Sequence, residues 1–511
     1  MMTGHYPDRA ARLAELLSGF LPQARIGSVI AGEVVAGSGE MIPLVDPFTG
    51  HELASYADGT AASADAAVTA AQEAFIAWQA HTASARGRVI WSIGAQVRQH
   101  AAALAELEAL SAGKPIRDAR AEVGRVAEMF EYYAGWADKI EGSVIPVPTS
   151  HLNYVRREAY GVVAQITPWN APIFTAGWQI APAIAAGNAV VLKPSELTPL
   201  TSLALGMLIA RTDAPKGLVN VLAGHGHTSG AAAVANPNTR LVVFVGSVGT
   251  GRVVAKAAAE QLKPVILELG GKSANVVFAD ADLKRAVLGA QAAIFSGAGQ
   301  SCVAGSRLLV QRAVHAEVVE RLAEAAARIP MGDPLDEATQ IGPINNARQW
   351  GKINDMVVQS VTEGARIAAG GTRPGGLENG FFFQPTVIDQ VTAAMQIARE
   401  EVFGPVVSVM PFDTENEAIA LANASEFGLA GAVWTADVAR AHRMAAKVRA
   451  GTFWINSYKA ISVMSPFGGF HASGHGRSSG LEALHAYTTT KSVWVETAAN
   501  PPVAFGYAGA G

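Results

Sequence analysis

One cysteine, Cys302, in a chain of 511 residues leaves no internal disulfide and no cysteine-built zinc cluster. No other grouping of residues reads as a metal site. If thiol chemistry is used at all, Cys302 carries it. Charge is scarce as well: 16% of residues are Asp, Glu, Lys or Arg, and the formal net charge is −4. That balance offers no basic footprint for nucleic acid and no polybasic face for an anionic membrane. Uninterrupted apolar runs of membrane length are missing too. Two uncharged stretches, 171–192 and 286–306, are long enough to span a bilayer. Pro172, Gln179, Pro182, Gly187 and Asn188 break the first, while Gln291, Gln300 and four glycines break the second. Both therefore read as buried α/β core. Residues Met1 to Arg9 lack the basic start and apolar run of a secretory signal, so a reducing, cytoplasmic setting is expected. No internal repeat or low-complexity linker is visible.

What remains is a chain that is half hydrophobic. Its length is too great for a single core and implies two or three domains. Ala-rich amphipathic helices are expected over about 62–112 and 119–138. Between Gly161 and Asn275, apolar runs at 162–166, 189–192, 218–222, 241–245 and 264–267 alternate with segments of helical length. Continuous apolar strands separated by helices imply a parallel sheet covered on both faces, a Rossmann-like unit. A second α/β region follows over about 272–470, with strands near 307–310, 406–410 and 432–435. The segment 488–495 is β-prone and outside either core, suited to pairing with a free sheet edge in this chain or in a neighbouring subunit. The closing Ala508-Gly509-Ala510-Gly511 reads as a loose end.

Several positions have the chemistry of a site, each with a plainer reading beside it. Two glycine-rich turns follow strands, Gly224-His225-Gly226-His227-Thr228-Ser229-Gly230 and Gly246-Ser247-Val248-Gly249-Thr250-Gly251. Free N–H groups where a helix starts attract phosphate, but neither turn has the G-x-G-x-x-G spacing, and alone each is first a tight turn. Lys193-Pro194-Ser195-Glu196 follows a strand at the carboxyl edge, where α/β sheets bind ligands. Lys193 can donate to ribose or phosphate and Glu196 can accept from a ribose diol; a solvated, capped loop explains them equally. Glu268 sits between apolar residues beside Gly270-Gly271, where burial lifts a carboxyl toward the range of a general base. A glutamate paired with Lys272 fits the same pattern. Small residues around Cys302 admit a substrate, although a lone cysteine is also an ordinary small core residue.

Taken together and in order, these segments resemble the aldehyde dehydrogenase superfamily over about 45–495. The resemblance rests on Thr167-Pro168-Trp169-Asn170, Lys193-Pro194-Ser195-Glu196, Phe244-Val245-Gly246-Ser247 and Leu267-Glu268-Leu269-Gly270-Gly271-Lys272. It continues through Gly299-Gln300-Ser301-Cys302, Glu400-Glu401-Val402-Phe403-Gly404-Pro405 and Ser465-Pro466-Phe467-Gly468-Gly469.

The resemblance implies a Rossmann-like cofactor domain (20–141 and 160–271), an α/β catalytic domain (272–470) and a small β oligomerisation segment (142–159 and 486–499). Oxidation of an aldehyde to its acid with NAD(P)+ is implied, through a thiohemiacetal and thioester on Cys302. Asn170 and the Cys302 N–H would hold the oxyanion, and Glu268 would activate the hydrolytic water, which favours a free acid over transfer to coenzyme A. Ile166, Thr167, Trp169, Lys193, Glu196, Gly226, Gly246, Ser247, Glu401 and Phe403 would bind the cofactor. Glu196 repels a 2′-phosphate and favours NAD, while Gly249 leaves room near the phosphates and keeps NADP compatible. Phe174, Trp178, Ser301, Val303, Lys459 and Phe467 would line the aldehyde tunnel, with 456–464 guarding its entrance. Arg125 and Lys459, if both face the mouth, would select a carboxylated semialdehyde; two ordinary solvated surface charges are the plainer reading. A cofactor-independent esterase and a catalytically silent scaffold are the remaining alternatives. A homodimer or homotetramer is implied, with no nucleic acid or membrane partner.

Overall fold

Five runs of buried apolar residues can satisfy their backbone groups only by pairing with one another. In the computed structural model, which describes residues 8–500, they form one parallel sheet. Its order is Val265–Glu268, Thr239–Val245, Val162–Ile166, Ala189–Lys193, Val219–Val221. Ser28–Ile30 and Glu33–Val35 extend it antiparallel at one edge and Gly474–His475 at the other. Helices Thr60–Ala80, Pro172–Ala185, Leu200–Ala210 and Val248–Ala259 pack against it. The chain runs outward from Val162–Ile166 in one direction, then returns to add Thr239–Val245 on the other side. That reversal opens a crevice at the carboxyl edge, where α/β sheets bind ligands. Along this edge Ile166 lies opposite both Lys193 and Phe244, and Val245 lies opposite Glu268.

A second sheet has its own core. Its order is Arg366–Ala369, Thr386–Asp389, Val406–Phe412, Arg307–Gln311, Ala274–Val277, Ala430–Trp434, Thr452–Ile455, parallel except at the first edge. The strands expected near 307–310, 406–410 and 432–435 are all present, shifted by no more than two residues at either end. The segment 488–495 finds its partner in this chain: Thr488–Glu496 pairs antiparallel along its full length with His151–Ala159, which also pairs with Ser143–Ile145.

One boundary differs from the sequence reading, a segment it left unassigned finds its place, and the buried α/β core expected over 171–192 is present. The helix expected over 119–138 runs Ile116–Ala134, because Pro115 fixes its start and the turn at Gly135 ends it. Residues after 470 do not simply close the second unit. Gly474–His475 joins the first sheet beside Glu268, and Ala483, Leu484 and Tyr487 enter the first core. The stretch 171–192 is a helix, Pro172–Ala185, followed by a strand, Ala189–Lys193, and no described helix is long and apolar enough to cross a membrane. The expectations placed on 1–7 and 508–511 lie outside the described residues.

Candidate active site

The carboxyl edge of the first sheet is built to receive a polar, anionic ligand. Lys193 ends its strand with 2% of its surface exposed, and its Nζ contacts Glu196 Oε2 at 3.1 Å. Burial lowers the Lys193 pKa, and the Lys193 charge helps hold the half-buried Glu196 carboxyl below its usual range against the opposing effect of burial. Thr167, also buried, leaves its Oγ1 without a hydrogen-bond partner. Ser247 caps the helix Val248–Ala259 by accepting from Thr250 N at 3.3 Å, and the N–H groups of Val248 and Gly249 have no acceptor among the described residues. A Cβ built on Gly226 or on Gly249 meets nothing within 4 Å, so the space beside both turns is open. An orphaned hydroxyl, unspent amides and a buried lysine–glutamate pair fit a nucleotide with its ribose and phosphates.

The cysteine is presented by a tight loop. After the helix Leu283–Phe295, residues Gly297, Ala298 and Gly299 all adopt left-handed backbone (φ 65, 54 and 68°). Glycine is required at 299, where a Cβ would lie 2.0 Å from Gly404 O, and at 271, where it would lie 2.5 Å from Cys302 O. Cys302 itself is half-buried and free. Burial, then the nearby carboxyls of Glu401 and Glu268, push its thiol up to about 12. Its backbone N–H has no carbonyl acceptor. Asn170 Nδ2 donates to Gln300 O at 2.8 Å, which fixes the amide and leaves its second hydrogen uncommitted. Gln300 Oε1 in turn accepts from Asn345 N at 2.9 Å, so one residue ties the amide to the cysteine loop.

Glu268 ends its strand with 6% exposure, and neither carboxylate oxygen has a hydrogen-bond partner of good geometry. Burial pushes its carboxyl up to about 8, opposed by the Ser478 hydroxyl and the Arg477 charge. It makes no ion pair with Lys272, against the plainer reading of that glutamate. Lys272 is buried elsewhere with its Nζ unpartnered, lowered to about 7 first by burial and then by Arg307.

These groups share one cavity of about 510 Å³. Asn170, Glu268, Cys302, Phe174, Trp178, Ser301, Val303, Lys459 and Phe467 line it, as do Trp169, Gly246, Ser247, Glu401, Phe403 and Arg125. Ile166, Thr167, Lys193, Glu196 and Gly226 do not line it; they belong to the neighbouring carboxyl edge and its turns. Trp178 forms an aromatic wall, its ring centroid 4.9 Å from both Phe174 and Phe467. Phe403, held at φ 57°, sets its ring edge-on to Trp169 at 5.4 Å. Glu401 Oε1 accepts from Gly271 N at 3.0 Å, and Lys352 Nζ donates to Glu401 O at 2.7 Å. A hollow of about 540 Å³ near Arg252, Arg449, His471 and His475 contains none of the expected site residues.

Comparison with known proteins agrees with this arrangement. The "Aldehyde dehydrogenase family" profile matches residues 34–493. The chain belongs to the aldehyde dehydrogenase family. It is 41% identical to betaine aldehyde dehydrogenase of Bacillus subtilis, covering 92% of this chain and 97% of that one. It is 42% identical to human retinal dehydrogenase 2, covering 90% and 89%. The crystal structure of betaine aldehyde dehydrogenase from Staphylococcus aureus in complex with NAD+ superposes with a TM-score of 0.93 at 38% identity, covering 97% and 98%. The two curated relatives carry the names of different aldehydes at nearly equal identity, so membership of the family leaves the substrate open.

Within this aldehyde dehydrogenase, some residues that shape the site had no signal in the sequence. Gln300 lies inside a quoted motif, but its clamp on Asn170 depends on a contact across 130 positions. Ser478 and Gln179 reach the floor beside Glu268 from segments 299 positions apart. Tyr458, in the expected entrance loop, donates to Val303 O at 3.1 Å and braces the cysteine loop from outside.

Proposed function

We propose that this enzyme oxidises an aldehyde to its carboxylic acid through a covalent adduct on Cys302. The observation that carries the reading is the convergence of Cys302, Asn170 and Glu268 on one aromatic-walled cavity beside the carboxyl edge of the first sheet. The sulfur attacks the carbonyl carbon as its thiolate. The oxyanion is taken by the free hydrogen of the Asn170 amide and the unspent Cys302 N–H. Lys193, Glu196, the Ser247 helix start, Glu401 and Phe403 would hold NAD, which would supply the hydride acceptor; the NAD+ complex of the S. aureus relative supports the choice of cofactor. Glu268 takes a proton from the water that hydrolyses the thioester, releasing a free acid. NADH formation across an aldehyde panel and cofactor-free ester hydrolysis should both disappear in Cys302→Ala. Retention of either would remove the cysteine from that reaction.

The charge at the cavity mouth favours a carboxylated aldehyde. Arg125 is exposed and makes no ion pair among the described residues, while Lys459 Nζ donates to Ser296 Oγ at 2.7 Å and makes no ion pair there, with the charge of Asp118 acting on it from further off. Neighbouring Lys114 and Asp118 are already paired with Glu122 and Arg117. Two cations that form no ion pair among the described residues repel a cationic aldehyde and attract an anionic one, partly opposed by Asp118. Burial lowers Lys459 to about 8, so its contribution is present below that pH and fades above it. Arg125→Ala and Lys459→Ala should each lower kcat/KM for a semialdehyde carboxylate about tenfold and leave a neutral aldehyde unchanged. Equal loss for both substrates would end this reading.

The two separate sheets support a cofactor domain over 20–141 with 160–271 and a catalytic domain over 272–470 that supplies Cys302, with Asn170 and Glu268 reaching the shared cavity from the first. The three-stranded sheet leaves Val144, Leu152 and Trp494 exposed (70, 45 and 55%), which supports a homodimer or homotetramer assembled through it. A reducing cytoplasm would keep the single free thiol available.

A further inference from the structure

Beside Glu268, four buried polar side chains form a hydrogen-bonded chain with a fixed direction. Gln165 and Tyr487 have no exposed surface, and Gln179 and Ser478 have 1% each. Gln165 Nε2 donates to the backbone carbonyl of Gln179 at 2.8 Å and to Tyr487 Oη at 3.1 Å. A backbone carbonyl can only accept, so the nitrogen of Gln165 must face this way. The phenol, already accepting, spends its single hydrogen on Gln179 Oε1 at 2.8 Å. The other end of that amide is therefore nitrogen, and it donates to Ser478 Oγ at 3.0 Å. Ser478 accepts and has one hydrogen left to give. It lines the same cavity as Glu268, neither of whose oxygens has a hydrogen-bond partner among the described residues, and its hydroxyl is close enough to act on that carboxyl.

We propose that Ser478, aimed by Gln165, Tyr487 and Gln179, is the positioning residue of Glu268, donating its hydroxyl hydrogen to the carboxylate form and holding it toward the cavity. The proposal rests on the reading of Glu268 as the base of thioester hydrolysis. Every link donates toward Glu268, so the chain stabilises the carboxylate and has no vacancy for its proton. In hydrolysis the water oxygen bonds to the acyl carbon and its proton goes to Glu268. The C–S bond then breaks with its electron pair on sulfur, and Glu268 returns the proton to water in the cavity. The interior chain carries none of it. The fold supports this arrangement. Gln165 sits in the central strand, Gln179 on the helix after it, and Ser478 is pinned by its own N–H to Phe467 O at 2.8 Å and by Trp178 Nε1 to its carbonyl at 3.0 Å.

The test uses the full-length enzyme with p-nitrophenyl acetate, where the initial burst reports acylation of Cys302 and the following steady rate reports deacylation. In Ser478→Ala the midpoint of the deacylation pH profile should rise by about one unit and the rate at pH 7 should fall about tenfold. Burst amplitude should be kept, and the rates should converge with wild type at high pH. Ser478→Thr, which keeps the hydroxyl, should restore the profile. Tyr487→Phe, which removes one hydrogen far from the reacting atoms, should move the midpoint in the same direction by less. If Ser478→Ala fails to fold, the Thr and Phe variants carry the test. Unchanged midpoints in Ser478→Ala and Tyr487→Phe, with deacylation still abolished in Glu268→Gln, would overturn the positioning role alone. Normal deacylation in Glu268→Gln would overturn the base assignment and this proposal with it.

Discussion

Glu268→Gln should make the enzyme a poorer catalyst and a more stable protein, and the structure sets the size of both effects. A carboxyl that titrates near 4.5 in the unfolded chain and at about 8 in the folded one opposes folding wherever the unfolded state has released its proton and the folded state has not. The sign follows directly: the folded pKa is raised, so wild-type stability falls as pH climbs from the unfolded value through 8, then levels. At 1.36 kcal/mol per unit, the cost is near zero below pH 4, about 3 kcal/mol at pH 7 and about 4 kcal/mol at pH 8. Glutamine is nearly isosteric and cannot ionise, so it escapes that cost. The variant's melting temperature should therefore gain on wild type between pH 5 and pH 8 by a few degrees. Over the same range its steady ester turnover should fall roughly 10²–10⁴-fold while one burst equivalent per active site persists. A Tm difference that does not vary with pH would refute the raised carboxyl. Loss of the burst would show that the residue is needed before the thioester forms.

Three further outcomes follow. Asn170→Ala removes one of the two proposed oxyanion donors and should cost about 3–4 kcal/mol in kcat/KM, read as a slower burst with unchanged melting. Gly271→Ala places a methyl 2.5 Å from Cys302 O, against backbone that cannot yield. It should depress kcat at least 100-fold, on the order expected when a reacting group is displaced by about 1 Å, while far-UV circular dichroism is unchanged. Glu196→Gln removes the charge that opposes a 2′-phosphate and should shift the NADP-to-NAD ratio of kcat/KM upward about tenfold. An unchanged ratio would place the 2′ position elsewhere.

Much of the parallel sheet was legible because its five strands are nearly pure apolar runs, a pattern that only burial on both faces explains. The strand 488–496 was legible as a strand, but whether its partner lay in this chain or another was not. Pairing depends on where His151–Ala159 arrives in space, which no local pattern encodes. Glu268 was legible as a carboxylate out of place among apolar neighbours. Its freedom from Lys272 was not, since the three residues of turn between them can carry the lysine to either side.

Residue type and order along the chain thus determined the groups proposed to react: one thiol, one amide, one stranded carboxylate and a set of turns able to hold phosphate. Tertiary structure decided how those groups are tuned. The return of 471–487 to the first sheet, which sets Ser478 beside Glu268, joins segments separated by 210 positions. The clamp of Gln300 on Asn170 and the facing of Arg125 and Lys459 into one cavity are likewise long-range. Hydrogen-bond direction and burial depend on which atoms become neighbours, and for contacts so distant along the chain only the packed fold specifies that.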